Sequence, residues 1–170
     1  MRIFKNFRRP FPFFELPKLV IINKDKDYTM SKTLSFDKST MYNFGDVDQL
    51  DINKLFGFSI GWHQDNSFRF GWRPNKDLTK MEILSYVYTN GVMSFEVITE
   101  VNLDNFYEYT LFCNSGNSVV KFLINNQNTY DFKSIEISII LKNKYNFGYG
   151  LGLYFGGNRK CPQTMDIIKN

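Results

Sequence analysis

The dipeptide Asn90-Gly91 constrains the fold of this chain more than any other feature. It sits between two hydrophobic runs, and Asn-Gly in that setting favours a type I′ hairpin turn, which needs positive φ at both central residues. The turn fixes a register. Tyr88 then faces Met93, Tyr86 faces Phe95 and Leu84 faces Val97, with all six side chains on one face. Val87 with Ser94 and Ser85 with Glu96 take the other. Turn chemistry and period-two patterning agree, so the segment is predicted as an antiparallel hairpin.

The same period recurs along the chain. Phe56, Phe58, Ile60 and Trp62 alternate with smaller residues, as do Phe68, Phe70 and Trp72, Tyr107, Tyr109 and Leu111, and Ile135, Ile137, Ile139 and Leu141. Aromatic residues make up 18% of the chain and alanine, the best helix former, is absent. One short helical turn is expected near 47–55, capped by Asp46 or Asp48. About ten short strands in 170 residues imply one all-β domain, a two-sheet antiparallel β-sandwich of jelly-roll type over residues 19–170. An extended N-terminal arm, residues 1–18, precedes it.

Charge separates these two parts. Arg2, Lys5, Arg8, Arg9 and Lys18 against Glu15 give residues 1–20 a net +4, which is the charge of the whole chain, so the body is neutral. A neutral body argues against a nucleic-acid partner for the sandwich. In the arm, Pro10, Pro12 and Pro17 interrupt a run of Phe and basic residues. Three readings follow: an anchor that docks on a partner chain through Arg2, Phe4, Phe7, Arg8, Arg9 and Phe11; contact with nucleic acid or a membrane surface; or a segment folded back over the sandwich. No secretory leader is read in residues 1–14, and no apolar run is long enough to cross a membrane.

Candidate sites are few. His63, the single histidine, lies in a polar loop beside Trp62, Asp65 and Asn66, so a multi-histidine zinc site is excluded. Arg69 and Arg73 project to one side of a strand, and with Trp62, His63 and Trp72 they form the candidate ligand-binding set, suited to carboxylates or sugar hydroxyls. Asp46, Asp48 and Asp51 lack the spacing of a calcium loop and read as a solvated turn. The alternating Gly148, Gly150 and Gly152 read as a strip covered by neighbouring rings, and Cys113 and Cys161 as buried thiols. Glu82, Glu96, Glu100 and Glu108 leave a carboxylate pair open, but outward-facing Glu between core residues is the ordinary pattern. No nucleophile motif is present, and no cofactor or metal is expected.

Two segments carry a resemblance: Lys54-Leu-Phe-Gly-Phe-Ser-Ile-Gly-Trp-His63, continuing through Asn66-Ser-Phe-Arg-Phe-Gly-Trp72, and Leu153-Tyr-Phe-Gly-Gly-Asn158 with Pro162. Together they resemble an uncharacterised jelly-roll family of Bacteroidota and their crAss-like phages, over about residues 53–168. The chain departs from it in having one histidine where members often have two or more, and Cys161 where Ala is usual. The resemblance implies a virion component or a surface glycan-binding module. The expectation is therefore a non-enzymatic phage virion structural protein, a head or tail decoration, fibre or adaptor. It would be anchored by its arm to other virion subunits or to copies of itself, after assembly in the host cytoplasm. The alternative is a carbohydrate-binding module for a bacterial surface glycan at the cell surface. A glycan-active enzyme comes third.

Overall fold

Alternation of apolar and polar residues builds two layers. In the computed structural model, which describes residues 1–10, 19–22, 26–114, 119–141 and 145–170, two six-stranded antiparallel sheets pack face to face. One sheet runs, in spatial order, β1 (Arg2–Ile3), β12 (Met165–Lys169), β3 (Asp27–Phe36), β8 (Tyr107–Asn114), β9 (Val119–Asn126) and β10 (Phe132–Ser138). The other runs β2 (Leu19–Ile21), β11 (Phe147–Leu151), β4 (Asn53–Ile60), β5 (Ser67–Pro74), β6 (Met81–Thr89) and β7 (Val92–Val101). This is the jelly-roll sandwich the sequence implies.

The core is aromatic. Phe56 and Phe58 of β4 and Phe68, Phe70 and Trp72 of β5 point inward. The Phe70 ring stands edge-on to Tyr109 at 5.5 Å and to Phe122 at 5.1 Å, which ties the two sheets together. Trp72 is 0% exposed and packs on Phe36 at 5.4 Å. Truncating Trp72 to Ala removes the largest wholly buried side chain, and urea denaturation should show a loss of about 3–5 kcal/mol. The expected helical turn is a 3-10 turn over Val47–Leu50, with Asp46 as its cap. Cys113 and Cys161 are both buried and free. Burial pushes their thiols up to about 12 and about 11, which makes them unreactive.

The hairpin forms in the expected register, with φ of 53° at Asn90 and 80° at Gly91. Its apolar face, however, looks outward. Val87, Ser85 and Ile83 fill the core side, while Met93, Phe95 and Val97 are exposed at 43%, 50% and 44%. Met93, Phe95 and Val97 thus form an exposed apolar row on the outer face of β7.

Residues 1–10 lie back over the sandwich. Arg2 and Ile3 pair with Asp166 and Met165, Ile3 is buried, and Arg2 forms a bidentate ion pair with Asp166. Farther along, Asn6 N–H donates to Cys161 O at 2.8 Å and Phe155 N–H to Arg8 O at 2.7 Å. Phe11, with the rest of 11–18, lies outside the described residues.

Candidate functional site

Register places the site on the outer face of the β2–β7 sheet. Leu151, Gly57, Arg69, Tyr86 and Phe95 are successive cross-strand partners from β11 to β7, so they line one row. Tyr149, Ser59, Ser67, Tyr88 and Met93 form the next row. Gly57 offers no side chain between β5 and β11. The Arg69 side chain therefore extends across β4, and its Nη2 donates to Gly152 O at 2.9 Å.

Arg69 is a cation without an anion. Its Nε is shut off from solvent and meets no acceptor among the described residues. No carboxylate of these residues comes within ion-pair distance of it. Burial lowers its pKa to about 10, opposed by the electrostatic influence of Tyr86, Tyr154 and Tyr149. It remains fully charged at neutral pH. A half-desolvated, unpaired charge costs stability unless a ligand neutralises it.

Lys54 adds a second cation. A register irregularity after Lys54 in β4 leaves its side chain on this face, where Nζ lies 4.4 Å from the Tyr86 ring centroid and donates to Ile52 O at 2.7 Å. Burial and then the Arg69 charge lower its pKa to about 8. Tyr86 moves the other way, to about 12, through burial and its hydroxyl contact with Tyr88, and stays a neutral phenol.

His63 arrives on the loop between β4 and β5. Its Nδ1 lies 3.0 Å from Tyr149 Oη, and its backbone N–H donates to the same oxygen at 3.3 Å. With Tyr149 Oη as the donor in the ring contact, Nδ1 accepts and the ring hydrogen sits on Nε2. Burial, then Arg69 and Arg9, lower the His63 pKa below 6.5, so the imidazole is neutral at pH 7 and can accept a proton. The loop is held from several sides. Gly61 has φ of 74°, and a Cβ there would lie 2.1 Å from the Tyr145 ring. Tyr145 donates its hydroxyl proton to Asp65. Gly91 N–H donates to Asp65 O at 3.0 Å and Asn90 N–H to Asn66 Oδ1 at 2.9 Å.

The predicted residues separate accordingly. His63 and Arg69 belong to one site, and Trp62, 63% exposed with its ring edge-on to Phe147, flanks it. Trp72 is corrected to a core residue, because three steps from Arg69 along a strand reverse the face. Arg73 shares the face of Arg69 but is committed, with Nε 2.7 Å from Glu82 and Nη1 donating to Leu50 O. Of the arm residues, Arg2 is tied to Asp166, while Arg8 donates to the carbonyls of Phe155, Gly157 and Asn158. Phe4 and Phe7 are exposed. Asp46 and Asp48 are bridged by Arg159, and Asp51 accepts from Asn158 N–H, so these acids are already occupied. Glu82, Glu100 and Glu108 engage Arg73, Asn75 and Ser31 respectively.

Sequence reasoning missed Tyr149, Lys54, Tyr86 and Tyr154. The signal for Tyr149 was its place between Gly148 and Gly150: a Cβ at Gly148 would lie 2.2 Å from Ser59 O, so the glycine side of β11 is pressed against neighbours and Tyr149 must face out. The site is an open face. A cavity of about 330 Å³ lined by Glu100, Asn126 and Lys133 shares none of its residues.

No family model and no curated protein matches this sequence. The resemblance to the Bacteroidota family therefore finds support only in the fold. Solved structures do match. The exolytic PL7 alginate lyase AlyA5 from Zobellia galactanivorans superposes with a TM-score of 0.53 at 10% identity, over 88% of this chain and 67% of the lyase. The family 7 alginate lyase A1-II′ in complex with product gives 0.53 at 8%, over 89% and 66%. A functionally unknown protein from Saccharomyces cerevisiae gives 0.52 at 7%, over 98% and 83%. The chain thus spans about two thirds of the lyases' length. The expectation of a non-enzymatic protein is overturned by these neighbours, since the sandwich formed here is one on which glycan lyases are built. A virion role finds no support in the same likenesses. At such identities the comparison establishes the fold: this chain is a jelly-roll β-sandwich of the kind seen in family 7 alginate lyases.

Proposed function

We propose that this protein is a polysaccharide lyase that cleaves a uronate-containing glycan by β-elimination on the face formed by Arg69, Lys54, Tyr149 and His63. The observation that carries the reading is the unpaired, half-desolvated Arg69 guanidinium beside a hydrogen-bonded tyrosine–histidine pair. An anionic sugar supplies the missing charge, and its C5 proton is the one whose removal that carboxylate controls.

The chemistry needs three things. A cation must neutralise the C6 carboxylate so that negative charge can develop at C5, and Arg69 with Lys54 does this. A base must take the C5 proton. Tyr149 Oη gives its own proton to neutral His63 Nδ1 and accepts the C5 proton in its place. The C5–H electron pair becomes the C4=C5 double bond, and the C4–O4 bond breaks with its electrons on oxygen. The Tyr149 phenol then protonates the departing O4, and His63 returns the borrowed proton to Tyr149. No water and no redox partner enters. A long polymer is accommodated because the face is open and continues over Tyr86, Tyr88, Met93 and Phe95, whose rings and apolar surface suit sugar faces.

Alginate, the polyuronate for which the lyases sharing this fold are named, is the first substrate to test, with polygalacturonate beside it. The expected result is growing ultraviolet absorbance from the conjugated C4=C5 product, with a bell-shaped pH profile. The acid limb falls below pH 6.5 as His63 becomes protonated and ceases to accept. The alkaline limb falls near pH 8 as Lys54 loses its charge, and Lys54→Gln should remove that limb. A bound carboxylate favours charged Lys54, so the limb should lie higher in kcat than in kcat/KM. Retained affinity for both polymers with no double-bond product would defeat the lyase reading and leave a binding module.

A further inference from the structure

The basic N-terminal segment has an unspent charge beside this site. Arg8 is used up: its guanidinium is held by three backbone carbonyls and lies 5.9 Å from the Tyr154 ring centroid. That clamp, with the Phe155 N–H to Arg8 O bond, sets residue 9 against the 152–157 segment. The same segment accepts Arg69 at Gly152 O and pairs with Lys54 through Tyr154 in both directions, at 2.8 and 2.9 Å. Arg9 is therefore delivered to the rim of the face that Arg69 and Lys54 occupy. It is exposed, and among the described residues it has neither an ion pair nor a hydrogen bond. Its charge reaches both Arg69 and His63, and disfavours the charged form of each. A cation held where it repels two others, with no carboxylate of the described residues in ion-pair distance, is arranged for an anion that comes from outside.

We propose that Arg9 binds the carboxylate of a neighbouring sugar unit, so that the protein reads consecutive acidic units of a polyuronate and not an isolated one. This rests on the glycan-lyase reading and names what that reading leaves open, namely how the chain grips a polymer beyond the unit being cleaved.

The test is binding of graded alginate and polygalacturonate oligosaccharides, measured by calorimetry at low and high salt. It compares wild type, Arg9→Ala, Arg69→Gln and Lys5→Ala. Lys5 carries the same charge on the same segment but lies beside Thr164, away from the face. Arg9→Ala should weaken the longer oligomers by about fivefold at low salt, with the loss shrinking at high salt. The shortest bound oligomer should be unaffected, and Lys5→Ala should change nothing. If Arg9→Ala binds long oligomers as tightly as wild type, or loses affinity equally at every length, the Arg9 proposal is overturned while the glycan reading stands. If wild type and Arg69→Gln both fail to bind any oligomer, the glycan reading itself falls, and the Arg9 proposal with it.

Discussion

Arg69→Gln is expected to lose at least about a hundredfold in kcat/KM on a polyuronate, on the order of 3 kcal/mol, while the folded protein becomes no less stable than wild type. The two effects have one cause. In the free protein the guanidinium is partly desolvated, its Nε has no partner, and no carboxylate offsets the charge. Removing a charge of that kind relieves a burial cost, so the thermal midpoint should stay level or rise. In the complex the same charge meets the substrate carboxylate in a poorly hydrated setting, where a neutral amide cannot replace it. A variant that loses activity together with several degrees of stability would assign Arg69 a structural role and sink the anion-site account. Combined thermal melts and steady-state kinetics on one preparation separate the outcomes.

Tyr149→Phe should leave substrate affinity within about twofold of wild type and lower kcat by about 10² to 10⁴. The ring remains against His63 and on the outer face of β11, so the shape of the surface is kept. What disappears is the oxygen that stands 3.0 Å from His63 Nδ1. An interaction used only in the transition state lowers kcat and kcat/KM equally, which is the pattern expected here. If affinity falls as much as turnover, Tyr149 is a binding residue and proton transfer belongs to another group.

The fold was legible because two local signals agreed. The Asn90-Gly91 turn fixed one hairpin, and the alternation in β4, β5 and β8 gave the inward aromatic rows. Parity also brought Arg69 to the outer face, and applied once more it would have put Trp72 inside. The direction of the hairpin's apolar face was not legible, because both of its sides carry apolar residues and only the second sheet decides which one is covered. His63 stood out as the single imidazole, but its partner Tyr149 lies 86 positions away and meets it through the pairing of β11 with β4. Lys54 was hidden for a different reason: the strand slips register just after it, which a strict period of two cannot anticipate. The basic N-terminal segment could be read from charge alone as something that docks. Whether it docks on a partner or on its own sandwich depends on Asp166, Phe155 and Cys161, at the far end of the sequence.

The latch between the Asn90-Gly91 turn and the His63 loop bears on the kinetics of the site. A loop of six residues would ordinarily fluctuate on its own, and each excursion would carry the imidazole away from Tyr149. Here the amides of both turn residues are spent on Asp65 and Asn66, so the loop moves away only when both of those hydrogen bonds break. Freeing His63 therefore costs those two hydrogen bonds as well as the loop's own, and is rarer than the fraying of an unlatched surface loop. The His63–Tyr149 contact is kept assembled by a β-turn that contributes neither residue.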